Sequence, residues 1–249
     1  MRQPIPPTGR SDRSDRLDAL RGAAMVWMAA FHFAFDLNTF GWLVPRQNFY
    51  VDPFWTLQRT AIVSLFLLCA GIGQSLALAH GQAASRFWRR WAQVAACAVA
   101  VSVGSAWMFP GSWISFGVLH GIALMLLMAR AIGARPMLLW ALGLVALLLP
   151  LLWTHPVFDS RWTNWVGLVT RKPVTEDFVP LLPWLGVLFW GLAAGLWLQQ
   201  RRPGLLAGGV PAMLVPLAVL GRWPLTFYML HQPVFIGLLM GLKALGLRA

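Results

Sequence analysis

"RLDALRGAAMVWMAAFHFAFDL", residues 16–37, combines two features that a soluble helix rarely combines. It is apolar over about 20 positions, enough at about 1.5 Å per residue to cross a hydrocarbon core of roughly 30 Å. It also carries Asp18, Arg21, His32 and Asp36. Ionisable side chains are costly in lipid, so they face a protein interior or a water-filled path and mark function more often than packing. The run reads as a first membrane span with a polar face turned inward. It is too long, and too polar at His32 and Asp36, for the apolar region of a signal peptide, so it reads as retained.

Working outward, six further stretches have the length of a span. Together the expected spans lie at about 19–38, 56–79, 88–109, 113–131, 137–153, 181–199 and 223–245. A segment in lipid must satisfy its backbone groups internally, so each is expected to be a helix. The fold class expected is therefore all-α, a polytopic transmembrane helix bundle of about seven spans. The stretch 203–221 is apolar but broken by Pro203, Pro211, Pro216 and Gly208-Gly209, and reads as re-entrant or interfacial. If it crosses, there are eight spans. Residues 1–16 read as a disordered cytoplasmic tail and 17–249 as a single transmembrane domain.

Composition agrees. Of 249 residues, 58% are hydrophobic and 11% charged, against about a quarter charged in a soluble domain. The net charge of +12 lies mostly between apolar runs, which fits anionic headgroups better than nucleic acid. With the N-terminus inside, the cytoplasmic segments hold 13 of the 20 basic residues, ending at Arg201, Arg202 and Arg222. That bias predicts a cytoplasmic N-terminus. Many of the 15 tryptophans fall at span ends, as an aromatic belt does. Cys69 and Cys97 lie in apolar runs and no zinc spacing occurs, so neither a disulfide framework nor a metal is expected.

His32, His120 and His231 all fall near mid-membrane by depth, so they are expected to line one cavity. A histidine there can act as general base near neutral pH. Asp36 follows His32 by four residues and is placed to orient its imidazole. Asp18 and Arg21 are three apart and pair on one face. Arg21 and His32 are separated by ten residues, roughly 16 Å along one face, which suits a long anionic co-substrate threading inward. In the last span, Arg222 stands at the cytoplasmic mouth, Pro233 frees backbone carbonyls beside His231, and Tyr228 and Gln232 are polar groups between helices.

Four runs carry a resemblance. Residues 16–37 resemble the first helix of transmembrane acyltransferases, whose signature is a basic residue, ten residues and a histidine, matched by Arg21 and His32. "ISFGVLHGIAL" at 114–124, "DFVPLLPWLGVLFWGLAAG" at 177–195 and "LGRWPLTFYMLHQPVFIG" at 220–237 are similar to bacterial proteins related to the heparan-alpha-glucosaminide N-acetyltransferase catalytic domain. The chain departs from the heparan enzyme in carrying His32 where that enzyme has an asparagine ahead of its active histidine.

The resemblance implies a bacterial inner-membrane enzyme. It would transfer an acetyl or other acyl group from cytoplasmic acetyl-CoA or another acyl-CoA to a hydroxyl or amine of a glycan or lipid-linked acceptor. On that reading His32, Asp36 and His231 are catalytic, and Arg21, Arg222, Arg89 and Arg90 hold the CoA phosphates. His120, Asp177, Gln232 and Tyr228 then face the acceptor. Transfer runs directly or through an acyl-histidine. The bilayer is the other expected partner, and an oligomer is compatible with the sequence. The readings from other classes are a proton-coupled solute transporter using the same histidines and a non-enzymatic membrane scaffold. The lack of a visible internal repeat counts against the first.

Overall fold

The computed structural model describes residues 13–246. Residues 1–12, most of the expected tail, lie outside the described residues, as do Arg2, Arg10 and Arg248 of the charge count. Among the described residues the regular structure is helical throughout, with no strand. In chain order the α-helices are α1 (Asp15–Phe40), α2 (Pro53–Ala79), α3 (Ala84–Met108), α4 (Val118–Ile132), α5 (Pro136–Leu152), α6 (Leu181–Arg201), α7 (Val215–Gly221) and α8 (Pro224–Ala244).

Local chemistry explains the ends. Ser14 caps α1, its hydroxyl accepting from the Leu17 N–H at 3.2 Å, and Asp15 and Asp18 sit in the first turn where the helix dipole favours acids. Gly41 closes α1 in the left-handed region (φ 86°), its N–H turned back to Asn38. Asp52 caps α2, and Pro53, Pro136 and Pro224 open α2, α5 and α8, where a missing N–H costs nothing.

The expected count of about seven spans is not reproduced. Among the described residues four helices, α2, α3, α6 and α8, are both long and apolar enough to cross a membrane. The 26 residues of α1 extend about 39 Å, so length is not its limit. Its ionisable face lowers its hydropathy instead. α4, with 15 residues, and α5, with 17, reach only about 22 and 26 Å. The helix expected from 113 begins at Val118, because Trp113 to Gly117 are tied up as a loop. The stretch 203–221 forms two 3-10 turns and α7, whose seven residues rise about 10 Å and cannot cross.

α6 runs through the centre, with α2 on one side and α5 on the other. Glycines let these backbones approach. A Cβ at Gly71 would strike the Leu188 carbonyl, one at Gly191 the backbone of Leu68, and one at Gly186 the Gly143 carbonyl. Close small-residue contact is how helices associate where lipid offers no hydrophobic drive. Leu67, Met125, Leu139, Leu188, Phe189 and Leu192 fill the core around it. α1 lies against α2, α7 and α8. Gly22 meets the Leu217 carbonyl of α7, and Gly221 meets the Asp18 carbonyl of α1. α3 and α4 pack through Val94, Ala98, Leu119 and Ala123, with Tyr228 and Met229 of α8 against them.

Candidate functional site

The polar face of α1 organises two places, one at its N-terminal end and one near its far end. At the first, a cleft of about 500 Å³ opens between the start of α1 and the end of α2. Arg13, Asp18, Arg21, His80 and Arg86 line it. Asp18 is buried, and its carboxylate accepts from Arg21 at 2.6 Å and Arg13 at 3.0 Å. The expected Asp18–Arg21 pair is present. Arg21 also donates to the Gly221 carbonyl at 3.3 Å, so α7 braces it from behind. A smaller cleft of about 280 Å³ shares Ala77 and Gln82 with the first and adds Arg130, which lies over the Phe87 ring.

Three of the four expected CoA-binding arginines lie elsewhere. Arg222 is exposed and donates to Asp15 at 2.9 Å, while Arg89 and Arg90 are exposed near the start of α3, with Arg90 donating to Gln93. Arg13, His80 and Arg86, which line the cleft, were not among the expected residues. Arg13 carries a faint signal in the sequence, five residues ahead of Asp18, but His80 and Arg86 flank a loop whose fold onto α1 leaves none.

Near the far end of α1, His32 and His231 meet, their ring centroids 5.2 Å apart. His231 is buried and its Nδ1 lies 2.8 Å from the Tyr228 carbonyl. A carbonyl only accepts, so Nδ1 carries the proton and Nε2 presents a bare lone pair. That Nε2 is buried and without a partner among the described residues, as are Asp36 Oδ2 and Gln232 Oε1. Asp36 accepts from Gln232 at 3.1 Å across 196 residues of sequence. The sequence places Asp36 as orienter of His32; the structure spends it on Gln232, and so on the joint between α1 and α8. Three acceptors thus converge on one buried joint.

His120 does not join this pair. The Gly117 N–H donates to its Nδ1 at 3.2 Å, so the neutral ring carries its proton on Nε2, which reaches the Ser102 hydroxyl at 3.2 Å. Both nitrogens are engaged in holding the start of α4. Asp177 does the same work from the loop between α5 and α6, accepting from the Val118 N–H at 2.6 Å and from the Tyr228 hydroxyl. Burial pushes its carboxyl above the usual range, and the Val118 bond opposes that. Tyr228, whose ring centroid lies 5.7 Å from that of His231, therefore links the histidine pair to the loop. The neighbouring Glu176 accepts from Ser112 at 2.5 Å, and Thr175 donates to the Trp113 carbonyl at 3.0 Å, pinning that loop over the end of the bundle. Among the described residues no group of three His, Cys, Asp or Glu side chains is placed to hold a metal ion.

The chemistry available is that of a buried, unpartnered histidine nitrogen at the α1–α8 joint, with a separate basic cleft about 16 Å away along α1. No curated protein and no solved structure gives a match to the chain. The family model described as heparan-alpha-glucosaminide N-acetyltransferase, catalytic, matches residues 13–233, nearly the whole described bundle, and the chain belongs to that family.

Proposed function

We propose that the chain is a multi-pass acyltransferase of the bacterial inner membrane, taking acyl-CoA from the cytoplasmic side. It would pass the acetyl or other acyl group to a hydroxyl or amine of a glycan-type acceptor. Family membership supports acetyltransferase-like chemistry. The observation that carries the residue assignment is the contact of His32 with His231, whose Nε2 is bare and buried.

In this reading the CoA phosphates sit in the cleft of Arg13, Arg21, His80 and Arg86, where guanidinium forks suit phosphate. The acyl thioester then lies along α1 toward the histidines. The acceptor enters from the opposite end, under the loop held by Glu176 and Asp177. Its N–H or O–H donors match the unpaired acceptors Asp36 Oδ2 and Gln232 Oε1. His32, assisted by His231, removes the acceptor proton. The nucleophile attacks the thioester carbonyl, the C–S bond breaks, and the thiolate leaves with the proton as free CoA. General-base assistance of this kind is worth about 10²–10⁴-fold.

The test is acetyl-CoA binding and acetyl transfer by the full chain in nanodiscs. Loss of transfer in His32→Ala with acetyl-CoA binding retained is the expected result. Transfer or hydrolysis at the normal rate in His32→Ala would overturn the assignment.

A further inference from the structure

Asp18 stands at the wall of the basic cleft with only 5% of its side chain exposed, and both its oxygens are taken. Oδ2 accepts from Arg13 Nε and Oδ1 from Arg21 Nη1. One carboxylate thus sets the spacing of two guanidiniums that line the same cleft. Both bonds made by Arg21, to Asp18 and to Gly221, use Nη1. Its Nη2 lies beside Gly73, another residue of the cleft wall, where the absent side chain leaves it room.

An acid in this position acts on an anionic ligand in one of two opposite ways. It competes with the ligand for the arginines, or it holds them where the ligand needs them. Bidentate recognition of phosphate requires the planar guanidinium in a set orientation, and a long side chain otherwise loses rotamer freedom on binding. Asp18 has already ordered Arg13 and Arg21, and Gly221 fixes Arg21 from a second side. We propose that Asp18 is a positioning residue for the phosphate end of the ligand in this cleft. It presets Arg13 and Arg21 rather than competing for them. This rests on the acyl-CoA reading above.

The experiment compares wild type, Asp18→Asn and Asp18→Glu as full chains in nanodiscs. It measures acetyl-CoA Kd, the KM and kcat for acetyl transfer, and the melting temperature. Asp18→Asn is expected to raise Kd and KM about tenfold, the cost of ordering two side chains. kcat should hold within about twofold, because His32 lies 14 residues on, roughly 21 Å along α1. Asp18→Glu should recover part of the loss. Tighter binding in Asp18→Asn, the mark of a competitor, overturns the inference. So does a lowered melting temperature with unchanged KM, the mark of a helix-end acid only. If Asp18→Asn does not fold, Asp18→Glu carries the test: its longer arm keeps the charge but shifts both guanidiniums, so its KM should rise by less than about tenfold, and an unchanged KM overturns the inference. Wild-type protein that binds no acetyl-CoA overturns the functional reading and this one together. Failure of the variants against a binding wild type overturns this one alone.

Discussion

Replacing Gly22 with alanine tests the contact between α1 and α7 that braces the cleft. The new methyl would fall on the Leu217 carbonyl, with Leu217 Cα at 3.1 Å, against ordinary contact at 3.4–4 Å. A backbone carbonyl cannot swing aside as a side-chain end can, so α7 has to retreat by on the order of 1 Å. Overpacking of this kind costs about 1–3 kcal/mol, while alanine for glycine within a helix returns about 0.5–1 kcal/mol. The net is a loss of up to about 2.5 kcal/mol, about 1.3 kcal/mol at mid-range. At about 2–4 °C per kcal/mol for a chain of this size, that mid-range loss should lower the melting temperature by about 3–5 °C. The retreat also lengthens the 3.3 Å bond from Arg21 to the Gly221 carbonyl, so acetyl-CoA binding should weaken with it. Gly237→Ala in α8, where nothing lies within 4 Å of the new Cβ, is the control and should melt at or slightly above wild type. Thermal melting of both variants in one nanodisc preparation decides the matter. If Gly22→Ala melts with Gly237→Ala, the α1–α7 contact is not as tight as described and the bracing argument fails.

His231→Ala should lower acetyl transfer by about 10²-fold or more while leaving acetyl-CoA affinity near wild type, because the cleft is remote; equal losses in both would place His231 in binding instead. Lys172 is pulled down to about 8, first by burial of its ammonium end, which lies against the Tyr50 ring although the residue is largely exposed, and then by Arg59. A depressed lysine contributes stability above its unfolded value and loses it as pH falls through about 8, so near that pH roughly half of it is free amine. Amine-reactive label at pH 8 should therefore reach Lys172 well before Lys243, and Arg59→Gln should slow it; equal labelling of the two lysines refutes the assignment. Asp159 is held below the usual carboxylate range by the Thr170 hydroxyl at 2.5 Å and by backbone N–H groups of Thr170 and Arg171. Its contribution is present above the unfolded value and lost as pH falls through the lower folded one, so Asp159→Asn should speed limited proteolysis across 159–171 at pH 7.

What could be read along the chain and what could not divide on physical grounds. The polar face of α1 is a one-helix pattern, so Asp18, Arg21, His32 and Asp36 announce themselves at their own spacing. The pairing of α1 with α8 was legible through His32 and His231, because buried histidines need company. The Asp36–Gln232 bond was not, since nothing local says which of two polar neighbours takes the carboxylate. The start of α4 was misplaced because Trp113, Ile114 and Phe116 are as apolar as a helix turn. What stops the helix there is a tether from Asp177, about 60 residues on, together with His120 reaching back to Gly117. The cleft was half legible. Arg21 belongs to the α1 pattern, but Arg86 and His80 arrive only because the turn after α2 folds beside the helix start.

The placing of α7 follows from the chemistry of α1. A helix with Asp15, Arg16, Asp18 and Arg21 in its first two turns cannot offer that end to lipid on all sides, because an unpaired charge there costs several kcal/mol. α2 and the cleft cover one side, leaving the other to be sealed. The segment 203–221 supplies the seal, and its proline and glycine content suits it for that. Pro203, Pro211 and Pro216 prevent one long crossing helix, leaving the short α7 to lie against α1. Gly22 and Gly221 then allow backbone-to-backbone contact close enough for the Gly221 carbonyl to reach Arg21, and Arg222, next in sequence, to pair with Asp15. The same residues that break an eighth span let α7 back the helix that carries Asp18 and Arg21 into the cleft. A variant that straightened this segment by removing its prolines would gain a more regular helix, yet it should lose the fixed Arg21.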